Sequence, residues 1–377
     1  MTHHASEDAA RSAVSLRSAL QALPPYKPGK SAAQSDVIQY KLSSNENPYP
    51  PLPSVLDAVN QVSPEMNLYP DMTCQAVTQA VANRWGVKPS CVSFGSGSVE
   101  VASQIIRAVC EEGDEVVFAW RSFEAYPILT GLAGASAVHV PLDENERHDL
   151  PAMAAAITDR TRVVLVCTPN NPTGTSVTAD ELHEFMEQVP QNVLVVVDEA
   201  YVHFNVDPAA ARGIDFFRQY PNVVVLHTFS KAYGLAGLRI GYAIAPDYIS
   251  AALRAVAIPF GVTNLAQQAA LASLAAESEI EERITALVEQ RDHVFRQLTE
   301  QGWGVVESQA NFVWLRTGEH TLQAEEMFTR HGVIVRAFGD EGIRVSVGSP
   351  AGNQAFVVAA QDVLNHIHAA STPRNGS

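Results

Sequence analysis

Cysteine is scarce in this sequence of 377 residues: Cys74, Cys91, Cys110 and Cys167 are the whole supply. None stands in a Cys-x-x-Cys pair. That speaks against a disulfide framework or a zinc site, and for reduced thiols in a cytoplasmic protein. Positive charge is short as well. Lys and Arg number 25 against 41 Asp and Glu, a formal charge of −16. Such an acid excess disfavours nucleic acid and anionic membranes as partners, although local arginines could still hold an anionic ligand. No apolar run reaches the ~20 residues of a membrane helix. Residues 1–11 are polar and lack an apolar h-region, so no signal peptide is expected. No Gly-Lys-Ser/Thr follows a glycine loop, which argues against a nucleotide-binding P-loop. There is no internal repeat, and no cluster that reads as a metal site.

What is present is globular. Apolar residues make up 46% and charged residues 18% of the chain, with no sign of bulk disorder. The length suits one large and one smaller domain. Strand-like runs at 115–118, 137–142, 163–167, 193–197, 223–226 and 240–245 alternate with helical stretches at 99–110 and 179–189. Several runs are almost wholly Val, Ile or Leu, as in parallel strands buried on both faces. The expected fold class is α/β, with a mainly parallel central sheet over residues 46–258. After residue 259 the pattern changes to α+β. A long helix is expected over 265–301, short strands at 312–315, 333–336 and 343–347, and a last helix over 354–368. Residues 1–45, with Pro24, Pro25 and Pro28, read as an arm joining this smaller domain. The polar tail 371–377 is expected to fray.

Ligands of open α/β sheets bind beyond the carboxyl ends of the strands. Beyond 115–118 stands Phe123. Beyond 163–167 comes Thr168-Pro-Asn-Asn-Pro-Thr-Gly with Asn171. Beyond 193–197 come Asp198 and Tyr201, and beyond 223–226 come Ser230 and Lys231. An aromatic ring, an amide, a carboxylate, a phenol and an amine thus converge on one sheet edge. One cofactor needs all five. Pyridoxal phosphate takes a lysine amine on its aldehyde, a carboxylate at its ring nitrogen, donors at its ring hydroxyl and a flat surface against its ring. It also needs a phosphate cradle. Gly95-Ser-Gly-Ser-Val-Glu100, with Gly97, Ser98 and Val99 opening a helix, can provide one. Plainer readings exist for each piece. Lys231 could be a surface lysine, and Asp198 a turn residue or a helix N-cap. Asn171 could build a turn, Phe123 could be core, and the glycines could form a plain loop. Arg336 and Arg344, on short strands, could clamp a carboxylate or stand solvated.

Five stretches occur in order: Leu42-Ser-Ser-Asn-Glu-Asn-Pro-Tyr49, Tyr69-Pro-Asp, Thr168-Pro-Asn-Asn-Pro-Thr-Gly174, Asp198-Glu-Ala-Tyr201 and Thr228-Phe-Ser-Lys-Ala-Tyr-Gly-Leu-Ala-Gly-Leu-Arg239. Together they resemble the fold-type-I pyridoxal-phosphate aminotransferases of the histidinol-phosphate aminotransferase branch, over residues 23–368. The resemblance implies that Lys231 carries the cofactor and moves the substrate proton. It puts Asp198 at the ring nitrogen, Asn171 and Tyr201 at the ring hydroxyl, and Phe123 against the ring. Ser98, Val99, Ser230 and Arg239 would hold the phosphate, joined by Tyr69 of a neighbouring subunit in a homodimer. Arg344 would bind the substrate carboxylate, with Arg336 beside it and Tyr26 and Asn47 at the substrate end. The stretch Trp120-Arg-Ser-Phe-Glu-Ala-Tyr-Pro127 is similar to the aromatic amino acid aminotransferases of actinobacteria. Phe260 stands where the branch usually has tyrosine, and an apolar wall there suits an aromatic side chain. Aromatic amino acids with 2-oxoglutarate as acceptor are therefore expected, with histidinol phosphate as the alternative substrate.

Overall fold

The computed structural model describes Arg17, Leu23, Pro25, Tyr26 and residues 39–371. Most of the arm expected at 1–45, with Pro24 and Pro28, and the tail 372–377 lie outside the described residues. Twelve strands are described. They are β1 (Tyr40–Lys41), β2 (Val92–Gly95), β3 (Glu115–Trp120), β4 (Ser136–Pro141), β5 (Thr161–Cys167), β6 (Leu194–Asp198), β7 (Val223–Thr228), β8 (Gly241–Ile244), β9 (Phe312–Arg316), β10 (Val333–Ile334), β11 (Arg336–Phe338) and β12 (Gly342–Ser346).

Seven strands form one sheet in the order β2-β8-β7-β6-β5-β3-β4. All run the same way except β8, which is antiparallel to both neighbours. The Val-rich strands are buried on both faces, and the pleat sorts their side chains. Val116, Phe118, Val163, Leu165, Leu194, Val196, Val224 and Leu226 join one core with the helices Ser98–Val109, Ala125–Ala133 and Asp247–Val256. Val117, Ala119, Val164, Val166, Val195 and Val197 face the opposite core, with Ala179–Met186 and Leu150–Ala155. Each such side chain contributes about 1.5–3 kcal/mol on burial. Parity then fixes the chemistry. Cys167, Asp198 and Thr228 follow the first set by two residues, so they point toward the Ser98–Val109 face. The expected strand at 137–142 is the sheet edge β4 and is largely exposed.

Three expectations of regular structure change. The helix expected over 265–301 is two helices, Asn264–Ala275 and Glu277–Gln301, broken at Ala276 (φ −104°, ψ 33°). The break lets them serve different layers. The first packs on Pro53–Val62 and Gln75–Trp85 beside the large sheet. The second packs on Pro350–Ser371 and the three-stranded sheet β11-β12-β9. The strand expected at 333–336 is also two. Its first half, β10, pairs in parallel with β1, and its second half, β11, turns away to pair with β12. The last helix begins earlier than expected, at Pro350, where proline loses no hydrogen bond.

Candidate active site

The parallel strands β3, β5, β6 and β7 end on one edge, and the antiparallel β8 begins there. A cleft of about 190 Å³ opens at that edge. Its lining includes Tyr26, Ser98, Val99, Phe123, Asn171, Asp198, Tyr201, Ser230, Lys231 and Arg239. A second hollow continues from it past Lys231 and Tyr201 to Glu124, Arg336 and Arg344.

Asp198 is 5% exposed and sits at the end of β6. Its Oδ2 accepts from the Tyr126 hydroxyl at 2.6 Å, and its Oδ1 from the Ala200 N–H at 3.1 Å. Burial pushes its pKa up, and those two bonds oppose the rise. A buried carboxylate of this kind calls for a cationic partner in the cleft.

Lys231 follows β7. Its Nζ lies 3.3 Å from the Asn45 carbonyl and 3.5 Å from that of Ser44. Burial first, and then the Arg344 charge, lower its pKa to about 7. The amine is therefore substantially neutral near neutral pH, as a nucleophile or base must be. The Tyr201 hydroxyl accepts from Asn45 Nδ2 at 3.0 Å, and burial raises its pKa.

The glycine turn stands at the N-terminus of the 12-residue helix Ser98–Val109. Gly97 has φ 82°, and a Cβ there would run into the Arg239 guanidinium. A Cβ on Gly241 would meet the Ser98 N–H. Both glycines keep a small basin open between backbone N–H groups and a guanidinium, which is the cradle an anion needs. Arg239 Nη1 donates to Ser230 Oγ at 3.3 Å, which closes the basin on its other side.

Arg344 on β12 is 8% exposed. Its Nη1 donates to Asn171 Oδ1 at 2.6 Å and its Nη2 to the Ser43 carbonyl at 2.9 Å, while its Nε is buried without a partner among the described residues. Asn171 thus holds the arginine as well as facing the cleft.

Three expected residues stand elsewhere. Asn47 donates to the backbone carbonyls of Lys231 and Ala232 at 3.2 and 3.0 Å, so it props the lysine loop from outside the lining of the cleft. Tyr69 and Phe260 pack on each other with ring centroids 4.6 Å apart. Neither lines the Lys231 cleft of its own chain. Tyr69 is 83% exposed, and Phe260 lines a separate hollow with Asp71, Met72, Thr73, Cys74, Thr78 and Arg254. Sequence reasoning missed Tyr126, Asn45 and Ser43. Tyr126 could have been found: it lies three residues beyond Phe123, a polar tip in an otherwise apolar helix. The four cysteines are free and buried. Among the described residues no group of His, Cys, Asp or Glu could hold a metal, and no helix is long and apolar enough to cross a membrane.

A low-pKa lysine, a buried carboxylate, a phenol and an anion cradle whose glycines a Cβ would fill make a donor set that fits pyridoxal phosphate. A comparison with family models agrees. The chain belongs to the aminotransferases of class I and II, whose model matches residues 37–359.

More particular likenesses lie within that family. The chain is 55% identical over 348 residues to an aromatic amino acid aminotransferase of Cutibacterium acnes, covering 92% of this chain and 98% of the relative. It is 48% identical to the protein of that name from Rhodococcus opacus, over 91% of this chain and 94% of the other. Among solved structures, the histidinol-phosphate aminotransferase of Sinorhizobium meliloti, in complex with pyridoxal-5′-phosphate, superposes with a TM-score of 0.83 at 28% identity, covering 93% of this chain and 98% of that one.

Proposed function

We propose that this aminotransferase acts on aromatic L-amino acids, with 2-oxoglutarate as the amino acceptor. The observation that carries the substrate class is the likeness to proteins named for it, at 46–55% identity over more than nine-tenths of the chain. The cleft agrees, since Tyr26, on the hollow that continues past Lys231, offers a ring surface to a flat side chain.

Bound pyridoxal phosphate supplies an aldehyde for the amino group and a ring that withdraws electrons from the substrate α-carbon. Around it, Lys231 would hold the group covalently and, once freed, carry the proton away from the α-carbon. Its pKa, lowered by burial to about 7, makes the neutral amine readily available for that step. Asp198, whose carboxylate form the Tyr126 hydroxyl and the Ala200 N–H favour against burial, would hold a proton at the ring nitrogen. Tyr201 and Asn171 would bond the ring hydroxyl, and Phe123 would cover the ring. Gly97, Ser98, Val99, Ser230 and Arg239 would bind the phosphate. Arg344 would take the α-carboxylate on the donors that Asn171 and Ser43 leave over.

We also propose a homodimer. Met66, Leu68, Tyr69, Met72, Ile258 and Phe260 are exposed apolar side chains in the single chain, a grouping that marks an interaction surface. A second copy on this face would bring Tyr69 and Phe260 toward the partner's cleft. Sedimentation should then give twice the 40.7 kDa chain mass. The smaller domain is best drawn to begin at the Ala276 break, with residues 1–45 as its arm, because Asn264–Ala275 packs beside the large sheet. Four buried free thiols support a reducing, cytoplasmic setting.

The deciding experiment mixes cofactor-loaded protein with phenylalanine and, separately, with histidinol phosphate, and follows loss of the lysine-linked cofactor's absorption. Conversion by phenylalanine in preference supports the reading; preference for histidinol phosphate replaces it with the alternative. Lys231→Ala should abolish both the absorption and turnover. Turnover near wild type would remove Lys231 from its role.

A further inference from the structure

Arg336 and Arg344 are directly opposed across β11 and β12. Opposed residues of an antiparallel pair project from the same face, and like charges in that position repel. Both arginines also lie near the Phe338 ring, their Cζ atoms 5.3 and 5.5 Å from its centroid. The protein resolves the repulsion unequally. Arg344 meets two neutral acceptors, Asn171 Oδ1 and the Ser43 carbonyl, so its charge stays available. Arg336 donates to Glu124 Oε2 at 2.7 Å, in a pair whose side chains are 12% and 27% exposed. Glu124 occupies the N-cap position of Ala125–Ala133, yet its side chain makes no capping bond. An acidic group there ordinarily serves its own helix; this one reaches to the opposite side of the hollow instead.

We propose that Glu124 determines specificity by setting the charge of the substrate-anion site. This rests on the aminotransferase reading above. Among the described residues, Arg336, Arg344 and Glu124 line the hollow together with Lys231, and the two guanidinium groups and the carboxylate sum to +1. That matches an α-carboxylate, which needs Arg344 alone. Histidinol phosphate has no α-carboxylate and presents a phosphate monoester in its place. A dianion there requires the donors of both arginines and meets the Glu124 carboxylate. The ion pair thus favours amino acids over phosphate-bearing amines.

The test is Glu124→Gln in the cofactor-loaded protein, with Glu124→Asp as a second variant that keeps the charge but withdraws it. Two quantities are measured: the ratio of kcat/KM for phenylalanine to that for histidinol phosphate, and the affinity for inorganic phosphate by calorimetry. The cofactor already fills the cradle, so added phosphate reports on the arginines. Glu124→Gln should lower the ratio by about tenfold or more and tighten phosphate by a similar factor, with Glu124→Asp between it and wild type. Unchanged ratio and affinity in both variants would overturn the proposal. Because phosphate binding is read without turnover, the two readings fail separately. A wild-type protein inactive on phenylalanine, whose Glu124→Gln variant still gains phosphate affinity, refutes the aromatic substrate and upholds the role of Glu124.

Discussion

The hydroxyl of Tyr126 tests how Asp198 is kept ionised. Burial is the main influence on this carboxyl and drives its pKa upward. The Tyr126 O–H at 2.6 Å and the Ala200 N–H at 3.1 Å are the two bonds that oppose it. Tyr126 is only 1% exposed, so its hydroxyl is a fixed donor rather than one shared with bulk water. Tyr126→Phe therefore deletes one donor and little volume. A hydrogen bond to an ionised acceptor contributes about 1.5–3 kcal/mol, equivalent to ~10- to ~150-fold. The sign follows from which form is stabilised. The bond favours the carboxylate, so its loss raises the Asp198 pKa still further, and the acid limb of kcat/KM moves to higher pH. At neutral pH kcat should fall by about tenfold or more. The assay is a pH profile of both proteins through the acid and neutral range, with melting temperatures taken alongside. Superimposable profiles and equal rates would refute the reasoning, because Asp198 would then owe nothing to Tyr126.

Three further outcomes follow from the same site. Gly97→Ala sets a methyl against the Arg239 guanidinium at a positive φ; cofactor affinity should drop by about tenfold or more, and undiminished affinity in an absorbance titration would dismiss the cradle. Lys231 is lowered from 10.5 to about 7 by burial, so between those values the unfolded chain binds the extra proton and stability rises with pH. Cofactor-free Lys231→Met should therefore exceed wild type in urea melts by on the order of a few kcal/mol at and below pH 7, with the gap closing toward pH 10.5; a gap independent of pH would contradict that account. Arg344→Gln should raise KM for phenylalanine far more than it lowers kcat, because it removes a charged clamp on the α-carboxylate; an unchanged KM would move that group elsewhere.

The large sheet was legible because its signal is local. Runs such as Val163–Val166 and Val193–Val197 can be buried on both faces only as central strands, and the residues after them must then share one edge. Lys231, Asp198, Tyr201, Asn171 and Phe123 meet there for that reason alone. The break at Ala276 was not legible. Apolar spacing continues through it, and only the packing of each half on a different layer requires the chain to turn. Residues 333–336 hid their division in the same way, since two strands in different sheets can abut with no glycine or proline between them. Phe260 shows a further limit. Its type suggested an apolar wall, but position in the fold decides what a side chain faces, and within one chain Phe260 faces Tyr69.

The segment Leu42–Asn47 shows why a motif can be plain while its work stays hidden. It offers no nucleophile and no strong charge beyond Glu46, so side-chain chemistry alone gives it no task. Its task is carried largely by the backbone. The Ser43 carbonyl accepts from Arg344 on β12, and the Asn45 carbonyl lies against Lys231 Nζ and accepts from Asn311. The Asn45 N–H donates to Ser346 Oγ, while its side-chain amide donates to Tyr201. Asn47 then fastens the lysine loop from below. One short stretch, bent at Ser43–Ser44 and with Asn45 at φ 52°, therefore ties the three-stranded sheet, which carries Arg336 and Arg344, to the large sheet, which carries Lys231 and Asp198. Such a tie needs small polar residues of fixed reach at each position: a longer side chain at Ser43 or Asn45 would part the sheets, and an apolar one would leave buried donors unpaired. The spacing between Lys231 and Arg344 is thus held by one contiguous stretch whose carbonyls meet both side chains.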